Sequence, residues 1–117
     1  MAERFTPEWV DALDAAVRDL PAAAEAFVIQ QVVTDGDDEI AWHLVLGTDG
    51  IRVLAGRADA PDVTFTQDRA TADAIADGNL SAGAALTEGR LTVRGATARL
   101  TEHREVLARI DEALADA

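Results

Sequence analysis

At 117 residues with no cysteine and a net charge of −12, the chain has room for one domain, residues 1–117, and for no disulfide framework or thiolate metal site. So acidic a surface repels nucleic acid and anionic lipid headgroups, leaving at most transient membrane contact. The segment Met1-Ala2-Glu3-Arg4-Phe5-Thr6-Pro7 lacks the basic and then apolar pattern of a signal peptide, and no apolar run approaches a membrane span, so a soluble, cytoplasmic protein is expected.

In chain order, a helix is expected from about Pro7 to Leu20. Thr6 can cap it, Pro7 has the preset φ of a first helical residue, Glu8 and Asp11 suit the positive end, and Pro21 marks the exit. Trp9, Leu13, Ala16 and Leu20, with Val10 and Val17 beside them, make one apolar stripe, the mark of a helix that lies on something. From Phe27 the period changes to two. Strands Phe27 to Val33, Ile40 to Leu46 and Ile51 to Ala55 are separated by Asp35-Gly36-Asp37-Asp38 and Gly47-Thr48-Asp49-Gly50, which predicts an antiparallel meander. In the middle strand Ile40, Trp42, Leu44 and Leu46 share one face, and Ala41, His43 and Val45 share the other. The first face is core; the second is partly wet.

The stretch Ala58 to Gly95 places two strand signals around two short helix signals. Val63 and Phe65 alternate with Thr64 and Thr66, the polar run Gln67 to Arg69 opens a helix over Ala70 to Ala76, and Gly78 stops it. Ser81 is the expected cap of a second helix, Ala82 to Glu88, which Gly89 ends before a strand from Leu91 to Arg94. A final helix is predicted over Thr97 to Ala115, with Leu100, His103, Val106, Leu107, Ile110 and Leu114 on one face. It is amphipathic enough to lie across an apolar opening.

Chemistry is sparse. His43 and His103 stand in no metal-ligand spacing, Ser81 lies outside a nucleophile elbow, and the acidic turn Asp35 to Glu39 lacks the spacing of a calcium loop. No metal, no cofactor and no enzyme activity are expected, since no nucleophile, base and oxyanion donor come together. Between Arg90 and Arg109 five arginines face two glutamates, a basic island in an acidic chain. Arg99, Arg104 and Arg109 recur every five residues, about 140° apart around a helix, so only Arg90 and Arg94 are kept as headgroup candidates.

The segments Ala60-Pro61-Asp62-Val63-Thr64-Phe65-Thr66, Gly78-Asn79-Leu80 and Ala85-Leu86-Thr87-Glu88-Gly89-Arg90-Leu91-Thr92-Val93-Arg94-Gly95 resemble, in order and spacing, the pattern of the sterol carrier protein 2 family. The resemblance covers about Trp42 to Ile110. It implies an α/β (α+β) fold: a five-stranded sheet of a three-strand antiparallel meander, a crossover and two further strands, covered by helices. It also implies non-catalytic binding and transfer of a fatty acid, fatty acyl-CoA, sterol or similar lipid in an apolar tunnel. Carried onto this sequence, the tunnel positions are Phe65, Ile75, Leu80, Leu86, Leu91 and Val93, with Leu100, Leu107 and Ile110 from the last helix as a lid. The chain ends Ala115-Asp116-Ala117 rather than in the peroxisomal tripeptide of some members. An empty apolar cavity of ~300 Å³ would cost roughly 7 kcal/mol, comparable to the whole stability of a small domain. The tunnel is therefore expected to be filled or largely collapsed. The competing expectation is an interaction or dimerisation module with a closed cavity, partner to an enzyme, pairing through Ala41, His43 and Val45; a monomer or a homodimer fits either.

Overall fold

The computed structural model describes residues 5–20 and 25–115, apart from the side chains of 111 and 113–115. Pro21 and the Leu114 side chain lie outside the described residues. Helix α1 runs Pro7–Val17. The Thr6 hydroxyl accepts the Trp9 N–H at 3.3 Å, proline opens the first turn, and Glu8 faces the positive end of the helix dipole. The helix stops three residues short of Leu20, where a turn carries the chain on through a Leu20 N–H bond to the Val17 carbonyl.

Five strands form one mixed sheet: β1 (Phe27–Asp35), β2 (Asp38–Gly47), β3 (Gly50–Ala55), β4 (Val63–Asp68) and β5 (Leu91–Gly95), in the order β3-β2-β1-β4-β5. The meander β1-β2-β3 and the pair β4-β5 are antiparallel, while β1 and β4 run parallel and join the two halves. Because side chains alternate along a strand, register sorts the sheet into two faces. Phe27 lies opposite Leu46, Ile29 between Leu44 and Val63, and Leu44 opposite Val53. These residues, all buried, make the helix-covered face, and Val10, Leu13 and Val17 of α1 close on it. Each side chain of this kind removed from water contributes about 1.5–3 kcal/mol.

The crossover from β3 to β4 passes over the other face. The Ala58 N–H donates to Gln30 Oε1 at 2.8 Å, and His43 Nδ1 donates to the Gly56 carbonyl at 2.8 Å; Gln30 and His43 both alternate away from the helices. The strip Ala41, His43 and Val45 is half-buried accordingly.

A buried acid pins α1 to the sheet edge. Asp14 accepts the Val53 N–H at 2.8 Å, on the side of β3 that has no strand neighbour, and pairs with Arg52 through both carboxylate oxygens and with Arg18 one turn on. Arg52 chiefly, aided by that backbone N–H, holds its carboxyl well below the usual carboxylate range, against the opposing pull of burial. An edge strand with one backbone donor so covered is a poorer template for pairing with a second chain.

After β4 come α2 (Arg69–Ala76) and α3 (Ala82–Thr87). Asp68 caps α2 by accepting the Thr71 N–H at 2.7 Å, which keeps the Asp68 carboxyl below its ordinary range. Ser81 caps α3 through the Ala84 N–H at 3.0 Å. The long helix expected over Thr97 to Ala115 is two helices, α4 (Ala98–Glu102) and α5 (Arg104–Ala115), broken at His103, whose backbone leaves the helical region at φ −102°, ψ 15°.

Candidate ligand-binding site

The helix break is held from below. His103 is buried and lies flat on Phe27, ring centroids 4.5 Å apart and planes 11° from parallel, while its Nδ1 donates to the Arg99 carbonyl at 2.9 Å. A carbonyl only accepts, so Nδ1 carries the proton in the neutral ring. The Arg99 guanidinium sits 4.8 Å over the Phe27 ring and reaches Asp62 Oδ1 at 3.3 Å and the Ala26 carbonyl at 3.2 Å. Asp62 in turn accepts the Val28 N–H at 2.8 Å, and its backbone carbonyl accepts the Ala96 N–H. Arg99, which the sequence reading set aside from the headgroup candidates, is thus committed to joining α4, the crossover and the start of β1.

Gly95 makes that junction possible. Its φ is +109°, and a Cβ there would run into the Asp62 carbonyl oxygen, so β5 and the crossover can approach this closely only at glycine.

The residues expected to line a tunnel divide into three groups. Phe65, Val93, Leu100 and Leu107 gather on the core cluster but stay partly open, and Ile110 is buried within it. Phe65 and Val93 are direct cross-strand partners on the helix-facing side. Leu91 is buried apart from this cluster, and Ala85 of α3, the helix that meets β5, is likewise buried outside it. Ile75 and Leu80 are half-buried, and Leu86, at 50% exposed, points to solvent. The headgroup candidates do not share a place. Arg90 Nε reaches the Thr71 hydroxyl at 3.3 Å, whereas Arg94 pairs with Thr64 in register and so projects from the face opposite Phe65 and Val93.

Burial is uneven across the helix-covered face. Over β1 to β3 the aliphatic side chains are closed off by α1, which approaches β3 closely. Over β4 and β5 the nearest helices are α2, beside β1 and β4, and α3, beside β5, neither as close as α1 is to β3; α5 packs on α1, and the α4–α5 junction rests on Phe27 of β1. Of the half-buried residues on the core cluster, Phe65 and Val93 lie where this cover is loose, Leu100, Val106 and Leu107 lie on α4 and α5, and Trp9, Leu20 and Ile40 lie around α1 and β2. Partly open apolar side chains of this kind can hold apolar matter by dispersion and water release.

Three features of the site region escaped the sequence reading. Phe5, Trp9 and Trp42 form an aromatic cluster with centroids 5.0–5.6 Å apart. Asp14 lies inside the apolar stripe of α1 as its one buried acid. Gln67 and Gln31 sit side by side on the inward face, joined by a Gln67 Nε2 to Gln31 Oε1 hydrogen bond of 3.0 Å. The alternation Val63, Phe65, Gln67 carried the signal for the last, because it continues the inward phase past the residues read as a helix opening.

The comparisons agree with this geometry. A crystal structure of sterol carrier protein 2 superposes with a TM-score of 0.74 at 22% identity, over 98% of this chain and 99% of that one. The solution structure of palmitated SCP2L2 from Aedes aegypti is 25% identical over 86% of this chain and 85% of its own, with a TM-score of 0.60. The same fold occurs within a sec-alkyl sulfatase, at 25% identity and TM-score 0.61, over 83% of this chain and 15% of the enzyme's. No curated protein matches the chain. The family model of the SCP-2 sterol transfer family matches residues 9–108, and the chain belongs to that family.

Proposed function

We propose that this protein binds and transfers a hydrophobic small molecule, a fatty acid, fatty acyl-CoA, sterol or similar lipid, without catalysing a reaction on it. The observation that carries this reading is the half-buried aliphatic and aromatic group of Phe65 on β4, Val93 on β5, Leu100 on α4 and Leu107 on α5, all packed against the core cluster yet left partly open, where no helix approaches β4 or β5 as closely as α1 approaches β3. A chain that can close α1 on β3 has the means to dry its core, so apolar surface left partly open elsewhere fits a surface kept for cargo.

In this reading Phe65, Val93, Leu100, Leu107 and Ile110 form the principal wall, with Leu91, Ile75 and Leu80 at its margins. Leu86 meets the cargo only while it enters or leaves. Separation of α4 and α5 from the sheet about the break at His103 is the gate. The chain works as a monomer or homodimer, and its net charge of −12 keeps membrane encounters brief. The family tie and the palmitate on the Aedes aegypti relative support a lipid cargo.

The test is native mass spectrometry of protein stripped of lipid by denaturation and refolding, then titrated with palmitate and with cholesterol. One-to-one adducts with at least one of them are expected, and lost in Leu107→Asp. A clean apo mass at all ratios would end the carrier reading.

A further inference from the structure

The two glutamines on the helix-facing side, half-buried Gln31 and buried Gln67, differ from Gln30, the buried amide of the opposite face. Gln31 lies in register between Trp42 of β2 and Phe65 of β4, and Gln67 between Val33 of β1 and Leu91 of β5, so both stand among apolar neighbours. Their one mutual hydrogen bond uses the amide nitrogen of Gln67 and the oxygen of Gln31. Among the described residues, Gln31 Nε2 and Gln67 Oε1 have no hydrogen-bond partner. On the opposite face Gln30 spends both ends of its amide, donating to the Thr64 hydroxyl and accepting from Ala58.

Among the described residues, no buried side-chain nitrogen or oxygen lacks a partner. The unspent Gln31 and Gln67 atoms are therefore not sealed in: they open onto accessible space, although Gln67 as a whole is only 9% exposed. The inventory does not depend on how the amides are turned. Flipping both reverses the bond between them and still leaves one NH₂ and one carbonyl oxygen free. An apolar wall thus carries one adjacent donor and acceptor, beside the Phe65–Val93 pair.

Such a pair selects by chemistry. A hydroxyl accepts from the NH₂ and donates to the carbonyl, satisfying both at once. An ionised carboxylate accepts only, and would press its charge against a carbonyl oxygen. An ether also only accepts. Leaving a desolvated carbonyl unmatched costs more than the missing bond itself contributes.

We propose that Gln31 and Gln67 are the head-group anchor of the cargo site, and that the cargo is a neutral, hydroxyl-headed amphiphile whose apolar body lies along Phe65 and Val93. This rests on the carrier reading above and narrows it.

The experiment measures displacement of N-phenyl-1-naphthylamine by 1-hexadecanol, hexadecyl methyl ether, palmitate at pH 8 and hexadecane. It uses the full chain and the separate variants Gln31→Met and Gln67→Met, which keep volume in apolar surroundings. Hexadecanol is expected to displace the probe at about tenfold lower concentration than the ether. That ratio should fall to near one in each variant, while hexadecane still competes in both. An equal ratio in the full chain and the variants overturns the anchor and leaves the carrier reading standing. A preference for palmitate that vanishes in Gln31→Met overturns the neutral head and assigns the site to acids. Failure of the unmodified protein to take up the probe or any alkane overturns both readings.

Discussion

The two halves of the helix-covered face are built to different ends. Over β1 to β3, Val10, Leu13 and Val17 of α1 meet Leu46, Ile51 and Val53, all buried, and Asp14 fastens the helix to the sheet edge. Over β4 and β5, Phe65 and Val93 are partly open, two amides have unspent hydrogen-bonding atoms, and only the short helices α2 and α3 approach the strands. The same sheet and much the same residue types run through both. What separates them is the cover; on the carrier reading proposed above, stability is concentrated in the first half and cargo handling in the second.

Substitutions can break or sharpen that contrast, and the largest effect belongs to the closed half. Leu46→Ala removes a fully buried side chain and should cost about 3 kcal/mol by urea denaturation, with the uptake stoichiometry of the folded fraction unchanged. Asp14→Ala should cost about 2 kcal/mol, since it strands the Val53 N–H and releases two arginines, both more than half exposed, whose pairing is discounted for that.

Asp14 also gives the closed half a pH signature. Its folded carboxyl is held below the unfolded value, so the unfolded chain takes up the proton first and stability falls with acid. The contribution is complete above the ordinary carboxylate range and is lost as pH drops below it. Urea midpoints measured from pH 7 to pH 3 should fall less steeply in Asp14→Asn than in the unmodified protein.

In the open half the balance reverses. Leu107→Ala removes a half-buried side chain and should cost only about 1 kcal/mol, while weakening alkane uptake roughly tenfold in a probe-displacement titration. Leu86→Ser should shift stability by less than about 0.5 kcal/mol and leave equilibrium uptake unaltered, being exposed and outside the wall. An equal stability cost at Leu107 and Leu46 would erase the distinction between the halves.

What the sequence disclosed and what it withheld follow from the range of the interactions. The caps at Thr6 and Ser81, the meander and the inward phase of Val63 and Phe65 are local, written within a few residues. The break at His103 is not. Apolar spacing runs on through Leu100, His103, Val106 and Ile110 as if one helix continued, and the interruption comes with a stack on Phe27, far away in sequence. Asp14 is the same case, since its partners Arg52 and Val53 become visible only once α1 meets β3. Gln67 was legible in phase, but its polarity read as the end of a strand. Its role needs Gln31 from a parallel neighbour, and parallel pairing leaves no mark in the adjacent residues.

Isotope-filtered nuclear Overhauser spectroscopy on methyl- and Phe-labelled protein loaded with unlabelled hexadecanol tests the central claim most directly. The account predicts cross-peaks from the bound chain to Phe65, Val93, Leu100 and Leu107 and none to Val10, Leu13 or Leu46. Cross-peaks to the second set, or an alkane signal that touches neither, would contradict it.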